Sequence, residues 1–93
     1  MNPRYIAYFT NPLCGSSDPE GVTSIRQAAD RLRTRGRDPY SGCTEQSWAD
    51  LYVITDEQML ADAEEMAGVG VPFGSGPDIR ITLGPRGGAR IER

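Results

Sequence analysis

The sequence predicts a small α+β domain, a two-layer sandwich with the element order β-α-(β)-β-α-β-β. Aromatic and β-branched residues dominate three short stretches, 4–10, 48–55 and 78–83, which is typical of strands. Two stretches with apolar residues at helical spacing lie between them. A weak edge strand at 40–43 would complete the ferredoxin-like order, which we favour. Without it, the first three elements form a β-α-β unit, and the alternative is a small parallel α/β fold.

The 93 residues fit one domain, 1–93. No apolar run approaches the roughly 20 residues that cross a bilayer, and the first residues are too polar for a signal peptide. We therefore expect a cytoplasmic protein that does not contact a membrane. Two cysteines are too few for a disulfide framework, and whether Cys14 and Cys43 form a bridge stays open.

Each strand has its own signature. Residues 4–10 and 48–55 carry few polar breaks, which favours strands buried on both faces. In 78–83, apolar residues alternate with Arg80 and Thr82, as in a half-buried strand. Residues 89–92 are predicted to return as a hairpin strand after the turn 84–88.

The first helix is predicted over about 18–35, with a capping box of Ser17 and Glu20 and a stop at Gly36. Its apolar stripe is Val22, Ile25, Ala29 and Leu32.

The second helix is predicted to start at a capping box of Thr55 and Gln58 and to end at Gly68. Its predicted buried stripe is Met59, Leu60, Ala63, Met66 and Ala67.

Charge is distributed unevenly along the chain. Residues 38–78 contain nine acidic residues and no basic one, whereas the segments before and after them each carry a net charge of +3. Such a block predicts a negative surface field that steers a basic partner.

The chain has no His and no Lys. It therefore lacks the groups for a serine triad, a Cys-His dyad, a His-ligated metal, a Schiff base or a P-loop lysine. Two cysteines cannot form a four-Cys zinc site. We expect no metal and no cofactor, and the absence of a complete catalytic constellation favours a protein that is not an enzyme.

The acidic second helix is the first candidate site. Its acidic residues flank the apolar stripe. Two aromatic residues precede the helix: Tyr40 lies in a turn-rich segment, and Trp48 lies at the start of a predicted strand. A docking surface for a basic protein is one interpretation, and an ordinary solvated helix face with packed aromatics is the other. The candidate residues are Glu57, Asp62, Glu64, Glu65, Trp48 and Tyr40.

The loop 11–17 is the second candidate. It follows a predicted central strand and leads into a predicted helix start, which is where open α/β sheets bind ligands. A nucleotide-like small molecule would fit this position, and a plain connection is the alternative. The candidate residues are Asn11, Cys14, Gly15, Ser16 and Ser17.

The first helix supplies a third candidate, a basic surface at Arg26, Arg33 and Arg37. These residues could contact phosphates. They lie beside the acidic block without interleaved aromatics, so we do not expect nucleic-acid binding.

One family resemblance spans about 70 residues. The stretch Tyr-Ile-Ala-Tyr at 5–8, the helix that closes on Gly36, Ala-Asp-Leu-Tyr-Val at 49–53 and Gly-Val-Pro at 70–72 resemble nucleoside deoxyribosyltransferase-type proteins. The resemblance implies a nucleophile at Glu64 or Glu65. The chain departs from that pattern because the Gly-rich loop after the first strand is missing.

Together these features favour a small non-enzymatic interaction protein, an accessory or inhibitory factor that binds another macromolecule through the acidic helix. Small acidic proteins of this kind are frequent in phages and mobile elements. The first alternative is a nucleotide-like ligand binder or weak nucleoside-processing domain at loop 11–17. The second is a symmetric structural oligomer, since segments of opposite charge favour self-association.

Overall fold

The computed structural model describes residues 2–11, 15–16, 19–37, 47–69, 72–73, 76–84, 86 and 88–93. Within them the chain forms an α+β fold with one antiparallel sheet and two helices. The elements in chain order are β1 (Tyr5–Asn11), β2 (Gly15–Ser16), β3 (Glu20–Val22), α1 (Ile25–Arg37), β4 (Trp48–Val53), α2 (Gln58–Glu65), β5 (Ile79–Leu83) and β6 (Ala89–Glu92).

Sheet order is β2-β1-β4-β5-β6, and β3 pairs with β1 on the same edge as β2. Every pairing among these strands is antiparallel, so the alternative of a parallel α/β fold is wrong. The reason is that the chain reverses direction through β2 and β3 before it enters α1. The ferredoxin-like order is not confirmed, because the central strands β1 and β4 are antiparallel and the weak strand at 40–43 lies outside the described residues.

β1 is an interior strand of the sheet, and its alternate side chains enter two separate cores. Ala7 and Phe9 belong to a cluster that contains Ala28, Ala29 and Leu32 of α1. On the opposite face, Ile6 and Tyr8 join a cluster that contains Ala63 of α2, with Met59 and Leu60 packed against it. Successive residues of a strand point to opposite faces, so the two helices cover opposite faces of the sheet.

The described chain therefore has three layers, α1, sheet and α2, instead of the predicted two-layer sandwich. The physical reason is that residues 4–10 carry few polar side chains on either face of the strand. A strand that is apolar on both faces needs a covering layer on each side.

The first helix begins later than predicted. Glu20 and Val22 lie in β3, so the capping box of Ser17 with Glu20 and the helical position of Val22 are both wrong. The helix starts instead at Ile25, where Ser24 Oγ accepts a hydrogen bond from the N–H of Gln27 at 3.0 Å. The Gln27 side chain reaches back to the N–H of Thr23 at 2.6 Å. This reciprocal pair resembles a capping box, and the pattern Ser-x-x-Gln at 24–27 was its signal in the sequence.

The remaining strand predictions are confirmed with small differences in their bounds. β1, β4 and β5 lie within one or two residues of the predicted 4–10, 48–55 and 78–83, and β6 forms the expected hairpin strand. In β5, Ile79 and Ile81 are buried and Arg80 is exposed, as the alternation predicts.

Gly21 tests how closely α2 packs on the sheet. An ideal Cβ on Gly21 would lie 2.9 Å from Cβ of Pro3 and 3.1 Å from a methyl carbon of Leu60. We expect Gly21→Ala to lower the free energy of unfolding by about 1–3 kcal/mol in urea titrations, because the added methyl overpacks this contact.

Gly76→Ala is the matched control, since nothing lies within 4 Å of the Cβ built there. It should leave stability unchanged or raise it by up to about 1 kcal/mol. Equal effects of the two substitutions would contradict the packing of α2 across Gly21.

Candidate protein-interaction surface

The start of α2 is held by Asp56 and not by the predicted capping box of Thr55 with Gln58. Asp56 Oδ1 accepts a hydrogen bond from the N–H of Gln58 at 2.8 Å, and the Asp56 carbonyl accepts one from Met59 at 3.0 Å. The N–H of Thr55 instead faces the sulfur of Met59 at 3.3 Å. An aspartate at this position accepts a hydrogen bond from a free N–H of the first turn. Its negative charge also interacts favourably with the positive end of the helix dipole.

Only one residue of α2, Ala63, is fully buried. Met59 and Leu60 are partly buried against the same core. The predicted burial of Met66 and Ala67 is wrong, because the helix ends at Glu65 and the chain continues as a turn in which both residues are exposed. Gly68 adopts φ +85° in this turn, a conformation that favours glycine.

The acidic side chains of α2, and that of Glu57 directly before it, face solvent. Glu57, Asp62, Glu64 and Glu65 are all exposed. Asp62 accepts a hydrogen bond from the Gln58 side chain at 3.3 Å. None of the four takes part in an ion pair within the described part of the chain.

Three acids elsewhere are paired with arginine, whereas Asp78 and Glu92 form no ion pair among the described residues. Glu20 on β3 binds both Arg31 and Arg35 of α1, the second at 2.8 Å. Asp30 pairs with Arg33 at 2.7 Å. Asp50 on β4 binds Arg80 through both oxygens, at 2.7 and 3.2 Å. Most of the described acids without an ion pair therefore lie on α2 or directly before it, at Asp56, Glu57, Asp62, Glu64 and Glu65.

Two apolar side chains lie exposed directly after the acidic residues. Met66 is 39% exposed and Val69 is 79% exposed. Both follow α2 in the turn 66–69, so they continue the acidic surface at its C-terminal end. We call the exposed residues Glu57, Asp62, Glu64, Glu65, Met66 and Val69 the α2 surface.

Trp48 lies on the same sheet face as α2, because residues 48, 50 and 52 of β4 alternate away from the α1 core. Its indole N–H points to Asp50 Oδ2 at 3.2 Å, and the Arg80 guanidinium stacks over its ring at 5.3 Å from the centroid. Trp48 is half-buried within this cluster. Its predicted partner in the surface, Tyr40, lies outside the described residues.

Three of the five residues of the candidate ligand loop lie in the described part of the chain. Asn11 is buried at the end of β1, and its side-chain amide donates to Ser47 Oγ at 2.8 Å, which ties β1 to the start of β4. Gly15 and Ser16 form β2, whose backbone pairs with Thr10 and Asn11. Cys14 and Ser17 lie outside the described residues.

The candidate basic surface is divided. Arg26 is exposed, and Arg33 is paired with Asp30. Arg37 is the last residue of α1, and its side chain is outside the described set. Arg35 lies over the Phe9 ring at 4.6 Å from its centroid, so its guanidinium supports the α1 core as well as binding Glu20.

Sequence reasoning did not identify the buried hydroxyl of Tyr8. This hydroxyl has no hydrogen-bond partner among the described residues. Tyr8 packs edge-on against Tyr52, with ring centroids 5.7 Å apart. Burial raises the pKa of the Tyr8 phenol, and proximity to Tyr52 raises it further. The apolar and aromatic pattern of residues 4–10 predicts a buried strand but does not indicate which polar atom that strand buries.

Two other properties of the described residues bear on function. Neither α1 nor α2 has the length and apolar character that a membrane-spanning helix requires. No three acidic or cysteine side chains in the described ranges come together in an arrangement that could hold a metal ion.

No protein-family model matches this chain, and no curated protein or solved structure matches it either. The resemblance to nucleoside deoxyribosyltransferase-type proteins therefore gains no support from these comparisons. Glu64 and Glu65, the residues it would assign as nucleophile, are both exposed on α2.

Because the buried hydroxyl of Tyr8 has no hydrogen-bond partner among the described residues, we expect Tyr8→Phe to stabilise the protein. Removing a buried donor without a partner should raise the free energy of unfolding at pH 7 by about 1 kcal/mol, measured by urea titration. The matched control is Tyr52→Phe, because the Tyr52 hydroxyl is not among the buried atoms without a partner. A loss of stability in Tyr8→Phe would contradict the assignment.

The same residue predicts a pH dependence. The pKa of Tyr8 is higher in the folded chain than in the unfolded one. Its titration therefore does not lower the free energy of unfolding at any pH below about 10. Stability should fall as pH rises above about 10, because the unfolded state then releases a proton that the folded state retains. In Tyr8→Phe this alkaline loss should be smaller.

Proposed function

We propose that this protein is a small non-enzymatic interaction protein, an accessory or inhibitory factor that binds a basic macromolecular partner through the α2 surface. The observation that carries the proposal is the distribution of ion pairs. Arginines of α1 and β5 compensate acids on β3, α1 and β4, whereas the acids of α2 form no ion pair among the described residues.

This distribution supports a role in association. Exposed charges of one sign raise the rate at which an oppositely charged partner arrives, and salt screens the effect. Paired charges contribute little to such a field because their partners cancel them. The described acids of α2 therefore supply long-range attraction that Glu20 and Asp50 do not.

Met66 and Val69 support specificity. Charge alone steers association, but tight interfaces also need apolar or aromatic groups that lose water on binding. These two side chains lie exposed at the end of the acidic helix, at 39% and 79%. A partner that presents basic residues around an apolar side chain would match both properties.

A basic protein fits the surface better than a nucleic acid. Phosphates would be repelled by α2, and on the opposite face three of the described arginines of α1 are bound to Glu20 or Asp30. The partner we propose is therefore a protein with a basic surface.

The test is a pull-down with mass-spectrometric readout, followed by affinity measurement with the captured protein. Wild type should capture a dominant basic partner. The triple variant Asp62→Arg, Glu64→Arg and Glu65→Arg should weaken binding by about 10-fold or more, and wild-type affinity should fall with added salt. Equal capture by wild type and the triple variant would contradict the proposal.

A matched pair of variants tests the apolar part. Met66 and Val53 are similarly exposed, at 39% and 40%, but Val53 lies on β4 and points to the α1 side of the sheet. Met66→Gln should weaken binding of the captured partner, and Val53→Thr should not. If Val53→Thr weakened binding and Met66→Gln did not, the interface would lie on the α1 face of the sheet and the proposal would be contradicted.

A further inference from the structure

The outer edge of β6 is open. β6 pairs with β5 on one side, and no strand in the described part of the chain pairs with its other side. All four residues of β6 are exposed, and Ile91 is 46% exposed. An edge of this kind can take another strand unless charge or shape prevents it.

The hydrogen-bond pattern shows which backbone groups face outward. Gly84 N–H donates to Gly88 C=O at 2.8 Å, directly beyond the pair Leu83 and Ala89. In antiparallel pairs, hydrogen-bonded and non-hydrogen-bonded positions alternate. Arg90 and Glu92 therefore direct their backbone groups to β5, whereas Ala89 and Ile91 present theirs to the open edge.

The side chains of β6 carry opposite charges two residues apart. Arg90 and Glu92 lie opposite Thr82 and Arg80, on the sheet face that carries α2. Glu92 extends a row of alternating charge across the sheet, since Asp50 pairs with Arg80 and Arg80 pairs with Glu92. Its proximity contributes to the raised pKa of Arg80, after the larger effect of the hydrogen bond to Asp50.

This pattern is complementary to itself in one register. If two β6 strands pair antiparallel with Ile91 opposite Ile91, each Arg90 lies opposite Glu92 of the second copy. The same register pairs outward-facing backbone groups with outward-facing ones, as an antiparallel ladder requires. A shift of one pairing step in either direction places Arg90 opposite Arg90 or Glu92 opposite Glu92, which is unfavourable.

We propose that two copies of this chain form a symmetric dimer by antiparallel pairing of β6 with β6, with Ile91 at the two-fold axis. The charge row then continues as Asp50, Arg80, Glu92 and Arg90 of the second copy. The sheet becomes continuous across both copies, and the exposed side chain of Ile91 packs on its symmetry mate. This surface is separate from the α2 surface and does not depend on the proposed function.

The opposite edge of the sheet is less suited to this pairing. β2 and β3 both pair with β1, but their registers differ by one residue, since Thr10 lies opposite Ser16 whereas Ala7 lies opposite Glu20. One extra residue in an edge segment produces a bulge, which interrupts the regular row of backbone groups.

A charge-swap experiment tests the dimer. Wild type should dimerise in analytical ultracentrifugation with a dissociation constant between about 1 µM and 1 mM. Arg90→Glu and Glu92→Arg should each dimerise at least about 10-fold more weakly, because each places like charges opposite one another. An equimolar mixture of the two variants should recover a heterodimer, since every side chain at position 90 then lies opposite one of the other sign at position 92.

The control is Arg86→Glu, the same charge change at an exposed residue of the β5–β6 turn. It should dimerise as wild type does, and so should the α2 triple variant. Circular dichroism checks that every variant is folded. A wild type that stays monomeric up to about 1 mM, a mixture that does not associate, or equal effects of Arg86→Glu and Arg90→Glu would each overturn the proposal.

Hydrogen exchange locates the contact independently. Between dilute and concentrated wild type, the amides of Ala89 and Ile91 should become protected by at least about 10-fold, because they are the outward-facing donors. Those of Arg90 and Glu92 should change less, since β5 already binds them. Concentration-dependent protection at α2 without protection at Ala89 and Ile91 would assign the dimer to another surface and contradict the proposal.

Discussion

Antiparallel pairing of β1 with β4 determines where both helices lie. The two strands pair over six residues, from Tyr5 opposite Val53 to Thr10 opposite Trp48. Since β1 buries alternate side chains on both faces, each face needs a covering layer, and the chain supplies α1 on one side and α2 on the other. The longer helix covers the larger core. The shorter one buries only Ala63 fully, which is why so much of its surface stays available.

This arrangement separates the charges in space as well as in sequence. On the α1 side, Arg31 and Arg35 fold back on Glu20, which belongs to the strand that precedes the helix. On the α2 side the local sequence contains no arginine, and Arg80, which lies on the same face, is bound to Asp50. The uneven charge of the sequence therefore persists as an exposed acidic helix, because the helix has no arginine of its own and Arg80 is bound to Asp50. These ion pairs are partly exposed to solvent, so their net contribution to stability is modest.

Composition and periodicity were enough to predict the α+β class, the strands β1, β4 and β5, and the two helices, because each carries an apolar pattern of its own. β6 was predicted from the turn at 84–88 that precedes it. The path between β1 and α1 could not be predicted in the same way. Gly15–Ser16 and Glu20–Val22 are too short and too polar to show a strand period, and they pair only because β1 lies beside them. Because these two short strands were not predicted, the expected fold had β4 parallel to β1 and both helices on the same face of the sheet. The acidic residues of α2 were found from charge alone, whereas the exposure of Met66 depends on where the helix ends. The pairing of Arg80 with Asp50 required the register of β4 and β5.

Nuclear Overhauser contacts in uniformly labelled protein test this arrangement most directly. Ile54 N–H donates to Arg4 C=O at 2.9 Å, so the alternation along the ladder makes Ala7 with Leu51 and Phe9 with Ala49 non-hydrogen-bonded pairs. The structure predicts strong contacts between the Hα atoms of both pairs, contacts from the Leu32 methyls to Ala7 or Phe9, and contacts from the Leu60 methyls to Gly21. Absence of the Hα contacts, or contacts from Leu32 and Leu60 to the same face of β1, would contradict the account.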